Sequence, residues 1–188
     1  MEGSLELSVV ALHVEDVDAY LDLNAAVDAG SGVDGAAHSH PYSRFEPFDR
    51  VEAHDREVTR WSTPVGDLGW RRAWGLRTGG ALIGYVYLAG GTLRAESHRA
   101  GLGMGVLGSH RRRGGGSMLL DAAIAWARDE TGLAWIDLGV FTDNRGAHAL
   151  YATRGFREVG RTPDRFRVDG ARLDDIAMTL DVSGASEP

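Results

Sequence analysis

Hydrophobic and polar residues along this chain fall into two alternating periods. A period of two, or a short apolar run, predicts strands at 8–14, 71–78, 81–89, 102–107, 135–141, 157–168 and 173–181. A helical period predicts helices at 15–29, 49–61, 116–130 and 144–154. In the third of these, Leu120, Ala123, Ile124 and Ala127 recur on one stripe. Acidic residues Glu15, Asp16 and Asp18 stand early in the first, where the helix dipole favours them. The turns are marked by composition: Gly79-Gly80 and Asp169-Gly170 are hairpin dipeptides, and Gly155 stops the last helix. The order of elements predicts an α/β mixed sheet of about seven strands flanked by about four helices. The strand–helix–strand unit over 102–141 requires a parallel crossover.

With 188 residues and neither an internal repeat nor a linker, the expectation is one domain over 1–182 and a polar tail over 183–188. A net charge of −7 argues against a nonspecific nucleic-acid partner. No apolar run approaches the ~18 residues of a membrane span. Met1-Glu2-Gly3-Ser4 lacks the features of a signal peptide. The default is a cytoplasmic protein with neither membrane nor nucleic acid as partner. Cysteine is absent, which excludes disulfides, thiolate metal sites and a cysteine nucleophile. All the basic residues are Arg, so the Lys of a Walker loop or of a pyridoxal Schiff base is missing too.

The chemistry concentrates at Arg111-Arg112-Arg113-Gly114-Gly115-Gly116-Ser117, between a strand and a helix. A helix that opens on glycines presents unpaired N–H groups and the positive end of its dipole, without side chains in the way. That arrangement suits a phosphate. A flexible turn with a solvated Arg face is the plainer alternative. The overlapping Gly103-x-Gly105-x-x-Gly108 matches a dinucleotide fingerprint, but its helix starts too late.

Arg111-x-x-Gly114-x-Gly116 resembles the phosphate-binding turn of the GNAT N-acetyltransferases. Val140-x-x-x-Asn144-x-x-Ala147-x-x-Leu150-Tyr151-x-x-x-Gly155-Phe156 resembles the strand–helix block that follows it in that family. Together the two cover about residues 98–181; the first half matches in element order alone. The resemblance implies acetyl-coenzyme A as cosubstrate, no metal, an amine acceptor and a possible homodimer. It implies coenzyme contacts from Met104, Gly105 and Val106, from Arg111 through Ser117, and from Asn144. It implies that the strand at 102–107 splays from its parallel neighbour, with an N–H near Val106 polarising the thioester carbonyl. Gly103 and Gly105 suit a bulged strand that another backbone approaches closely. Tyr151 becomes the acid that protonates the departing thiolate; a half-buried core tyrosine is the alternative. Helical spacing puts Asn144, His148 and Tyr151 on one face, with Ala147 and Leu150 on the core stripe beside it.

A general base is not evident. Relatives place Glu near position 101, where this chain has Gly101; Glu96 and His98 are the nearest titratable groups. His38-x-His40 has no third metal ligand nearby and reads as part of a loop over a substrate pocket. That pocket is expected to draw on 38–48 and 157–172, with Asp174 and Asp175 available to attract a cationic amine. The activity implied is acetyl transfer to a primary amine of a small molecule, amino acid or protein N-terminus. The alternatives are a noncatalytic acyl-coenzyme A-binding module of the same fold and, more remotely, a nucleotide-binding domain.

Overall fold

A computed structural model describes residues 6–130 and 132–184. The stretch 1–4, read above for a signal peptide, and residues 185–188 of the expected tail lie outside the described residues. Seven strands form one sheet: β1 (Leu7–Leu12), β2 (Arg71–Thr78), β3 (Ala81–Gly90), β4 (Arg99–Val106), β5 (Trp135–Phe141), β6 (Arg157–Val168) and β7 (Ala171–Asp181). Their order is β1-β2-β3-β4-β5-β7-β6. Every neighbouring pair is antiparallel except β4 and β5. Four α-helices cover the sheet: α1 (Val17–Asp28), α2 (Arg50–Ser62), α3 (Gly115–Asp129) and α4 (Arg145–Ala152). The mixed seven-stranded sheet with four helices agrees with the sequence pattern.

Two expectations shift at their edges. β1 ends at Leu12 and a 3₁₀ turn over Val14–Asp16 precedes α1, because Asp16 accepts from the His13 N–H at 3.0 Å and closes a tight turn there. β4 begins at Arg99, three residues earlier than its alternation suggested, because Arg99–Gly101 pair with β5, and Ala100 and Gly101 with β3 as well. Both hairpin dipeptides have positive φ at both positions (Gly79 55°, Gly80 84°; Asp169 48°, Gly170 87°), the conformation that matches strand twist in a two-residue turn.

The main core lies between α3 and the sheet. Leu119, Leu120, Ala123, Ile124 and Ala127 of α3 meet Leu76, Val86, Leu88, Ile136 and Met178. A second cluster on the opposite face joins α1 and α2 to β1–β3 through Tyr20, Leu21, Trp61, Ala73 and Tyr85. One buried charge belongs to it. Glu57 of α2, 3% exposed, accepts from Arg71 Nη1 at 2.6 Å and Trp61 Nε1 at 3.2 Å, fastening α2 to β2.

Candidate active site

β4 and β5 pair only at Arg99–Trp135, Ala100–Ile136 and Gly101–Asp137. Beyond Gly101 they diverge, and a cavity of about 580 Å³ occupies the split. Met104, Gly105 and Val106 line one side; Gly139, Val140 and Phe141 line the other. The splay expected of this strand is present. The bulge is not: β3 and β4 pair continuously from Gly84–Val106 to Gly90–Ala100. The β4 glycines answer instead to neighbouring rings. A Cβ at Gly103 would lie 2.4 Å from Tyr87 Cζ, and one at Gly105 would lie 2.7 Å from Val27 Cγ1.

The direction of the Val106 backbone follows from its neighbour. Leu107 N–H donates to the Ile83 carbonyl on β3 at 3.0 Å. Alternation along an extended strand therefore turns the N–H and carbonyl of Val106 toward the split. The carbonyl accepts from Arg111 Nε at 2.9 Å, so Arg111 closes the end of the strand and the N–H remains directed at the cavity.

At the same end, α3 is capped by Gly114 in the left-handed region, φ 85°, with Arg112 also left-handed at 58°. The first helical bond runs from Met118 N–H to the Gly114 carbonyl at 3.2 Å, so the N–H groups of Gly115, Gly116 and Ser117 stand ahead of it. Arg111, Arg112, Gly114, Gly116 and Ser117 border the cavity. Among the described residues, and apart from its immediate chain neighbours, nothing lies within 4 Å of where a Gly114 Cβ would stand, so a large anion can approach the amides. Arg113 is exposed and lines no part of the cavity. Gly115 is buried away from it: a Cβ there would be 2.3 Å from Leu76 Cδ2, so this glycine lets α3 pack on β2.

α4 supplies the far wall. Asn144 caps it, accepting from Ala147 N–H at 3.2 Å, and its amide also donates to the His38 carbonyl at 3.2 Å. Tyr151 is 7% exposed, faces the cavity and packs on Phe156 with ring centroids 5.8 Å apart. Among the described residues its hydroxyl has no hydrogen-bond partner. Burial pushes that hydroxyl up to about 12. The shared face of Asn144, His148 and Tyr151 is corrected here. His148 turns out to Glu158 at 2.7 Å, while Ala147 and Leu150 pack against the main core as their stripe suggested and also line the cavity beside Tyr151. The helix sits with its seam, rather than one face, over the split.

The expected pocket segments do meet at the other end. His38, Ser39 and Pro41 come from the 30–48 loop, and Arg165 and Phe166 from β6. The loop is strapped down by His38, whose Nδ1 lies 2.8 Å and whose N–H lies 3.1 Å from Asp143 Oδ2. His40 Nε2 lies 3.1 Å from the Asp28 carbonyl. The two histidines thus have separate partners. Among the described residues no group of three or more His, Asp or Glu side chains could hold a metal ion.

The acidic pair divides. Asp174 accepts from the Asp164 N–H at 2.8 Å, whereas Asp175 lines the cavity. Burial raises the Asp175 carboxyl above its usual range, against the opposing pull of Arg165. The proposed bases fare less well. His98 is exposed and lines no part of the cavity, because β4 starts beside it and carries it past the sheet edge. Glu96 accepts from Leu93 N–H at 3.3 Å and borders a second cavity of about 550 Å³ with Arg71, Tyr87, Arg99 and Asp137. The two cavities adjoin at Gly139. Gly139 and Arg165 border the cavity without having been singled out from the sequence, although it carried two signals for them: Pro163 inside a strand pattern, which points to a bulge, and Gly139 inside a strand, which points to close approach.

No curated protein matches this sequence. Solved structures match its fold. An acetyltransferase of the GNAT family from Streptococcus pneumoniae superposes with TM-score 0.77 at 19% identity, over 94% of this chain and 99% of that one. The Salmonella typhimurium protein yncA, solved with its cofactor acetyl-CoA, gives 0.76 at 16% identity over 97% of each chain. The ribosomal-protein-S18-alanine N-acetyltransferase of Escherichia coli gives 0.68 at 20% identity, again over 97% of each. Residues 39–156, well over half of the sequence, match the acetyltransferase (GNAT) family itself, and the chain belongs to that family.

Proposed function

We propose that this protein transfers the acetyl group of acetyl-coenzyme A directly to a primary amine of a small molecule, amino acid or protein N-terminus. One observation carries the reading: a single cavity is bordered by the open amides of α3, the split between β4 and β5, and the Tyr151 hydroxyl. Acetyl-coenzyme A supplies an activated acyl group and a thiol leaving group. The amides of Gly116 and Ser117, with Arg112, hold its pyrophosphate, where fixed dipoles replace hydration at no cost of reorganisation. The unpaired edge of β4 at Met104 and Val106 receives an extended amide chain as an added strand. The Val106 N–H faces the carbonyl oxygen as negative charge develops on it. Tyr151 donates its hydroxyl hydrogen to the departing sulfur. Arg111 binds no phosphate in this scheme; it holds the Val106 carbonyl and so aims the N–H.

The test is calorimetric titration with acetyl-coenzyme A, with ATP and NAD as controls, followed by thiol release across an amine panel. Saturable binding of acetyl-coenzyme A and amine-dependent thiol release are expected. No binding to a folded sample overturns the reading. Binding without turnover on any amine favours the noncatalytic module.

A further inference from the structure

Across β6 and β7 the register slips: Thr162 pairs with Asp175 and Phe166 with Leu173. Pro163, Asp164 and Arg165 therefore stand opposite Asp174 alone. This enlarged bulge is held by the Asp164 N–H on Asp174 and by Asp164 in the left-handed region at φ 48°. Bulges of this kind re-aim side chains beside functional clefts. Here the side chain re-aimed is Arg165, which reaches the cavity wall. Facing it is Asp175, whose carboxylate lies directly over Gly139: a Cβ at Gly139 would be 2.8 Å from Asp175 Oδ1. A glycine at the split thus makes room for a carboxylate at the cavity floor.

The other charged or titratable groups on this cavity are His38, Arg111, Arg112 and Tyr151. His38 is paired with Asp143, and Arg111 holds the Val106 carbonyl. Among the described residues Asp175 is the one carboxylate on the wall. Neither Asp175 nor Arg165 is in an ion pair with another described residue; Arg165 rests over the Phe166 ring at 5.6 Å. One anion and one cation, within electrostatic reach of each other but not joined in a salt bridge, thus line the same cavity.

We infer that this pair selects the acceptor as a free α-amino acid, Asp175 holding its ammonium group and Arg165 its carboxylate. The inference rests on the acetyl-transfer reading above. A polyamine would need several free carboxylates, whereas this wall has Asp175 and the two in the adjoining cavity are engaged, Glu96 by Leu93 N–H and Asp137 by Arg99; a peptide N-terminus would leave Arg165 without its anion. Asp175 accepts one ammonium proton and passes it to solvent. The freed nitrogen pair forms the C–N bond as the C–S bond breaks. The second nitrogen proton leaves as the amide forms and replaces the one that Tyr151 gives to the thiolate.

The test compares the proteinogenic L-amino acids, their α-amides and spermidine, as acceptors in thiol release and as calorimetric ligands of the enzyme saturated with coenzyme A. At least one amino acid should bind and be acetylated with kcat/KM about 10-fold or more above its amide. Arg165→Gln, on an exposed bulge, should raise KM for that amino acid about 10-fold, leaving KM for the amide and the affinity for coenzyme A unchanged. Asp175→Asn should weaken both amino acid and amide, and Asp175→Glu should restore part of the loss. Acetylation of amides or spermidine as efficient as that of every amino acid overturns the inference while leaving acetyl transfer intact, as does an Arg165→Gln enzyme that still prefers the free carboxylate. Coenzyme A binding with no amino acid bound or acetylated overturns it too. Failure to bind coenzyme A overturns the underlying reading first.

Discussion

Tyr151→Phe removes one oxygen and leaves the ring. The ring is 7% exposed and keeps its contact with Phe156, and the lost hydroxyl leaves no described partner unsatisfied. Stability is therefore expected to change by less than about 1 kcal/mol. The effect on turnover follows from the hydroxyl at about 12. An ordinary thiol titrates near ~8.5, so complete proton transfer to a thiolate in water would be uphill by ~3.5 units, roughly 5 kcal/mol. The departing sulfur is desolvated in the same cavity, which raises its own affinity for the proton and narrows the gap. The hydroxyl then acts chiefly as a hydrogen-bond donor that completes its transfer late. That puts its contribution at the low end of general acid catalysis, about 10²-fold in kcat, or roughly 2.7 kcal/mol. The assay is thiol release at saturating acetyl-coenzyme A, alongside calorimetric coenzyme affinity and thermal unfolding. Unchanged affinity and melting with kcat down about 100-fold is the expected result. A folded variant with kcat within about twofold of the parent removes Tyr151 from the chemistry.

Other expectations follow from the same geometry. Gly114→Ala forces a Cβ into the left-handed region at φ 85°, costing about 1–2 kcal/mol of stability in denaturant unfolding, and it raises the coenzyme dissociation constant by crowding the amides; a variant of unchanged stability and affinity would show that the turn relaxes. Glu57→Ala leaves the Arg71 guanidinium buried without its carboxylate and should cost about 3–5 kcal/mol in urea unfolding; a loss under about 1 kcal/mol would mean that solvent reaches Arg71. Asp137 is pushed up by burial, but two hydrogen bonds from Arg99 (2.7 and 2.6 Å) and one from Thr179 (2.7 Å) outweigh this and hold it below the usual carboxylate range. A depressed carboxyl contributes stability that is present above the unfolded value of ~3.9 and is lost as pH falls through the folded value. Arg99→Gln should therefore lower the melting temperature at neutral pH, with the difference from the parent vanishing under acid; a difference that grows as pH falls would reverse the assignment.

The sequence by itself determined the glycine-turn end of the cavity. The glycine turn, the helix behind it and the block from Asn144 to Tyr151 are local: capping, left-handed glycines and helical spacing act over a few residues, so their geometry is legible in their order. The strand series and its hairpin turns were legible for the same reason. Only the tertiary structure decided the rest. The splay of β4 from β5 after Gly101 was implied by the family resemblance and not by local pattern, because it depends on pairing between segments more than thirty residues apart. Which α4 residues also face the cavity depends on how that helix docks: helical period put Ala147 and Leu150 on the core stripe, where they pack, but could not show that they border the cavity as well. Asp174 and Asp175 are adjacent in sequence, yet one ties down a bulge and the other meets the cavity, because strand side chains alternate between faces. Arg165 reaches the same cavity through a register slip that exists only once β6 has paired with β7. The end of the cavity at Arg165 and Asp175 is assembled from long-range pairings, whose energies no local pattern records.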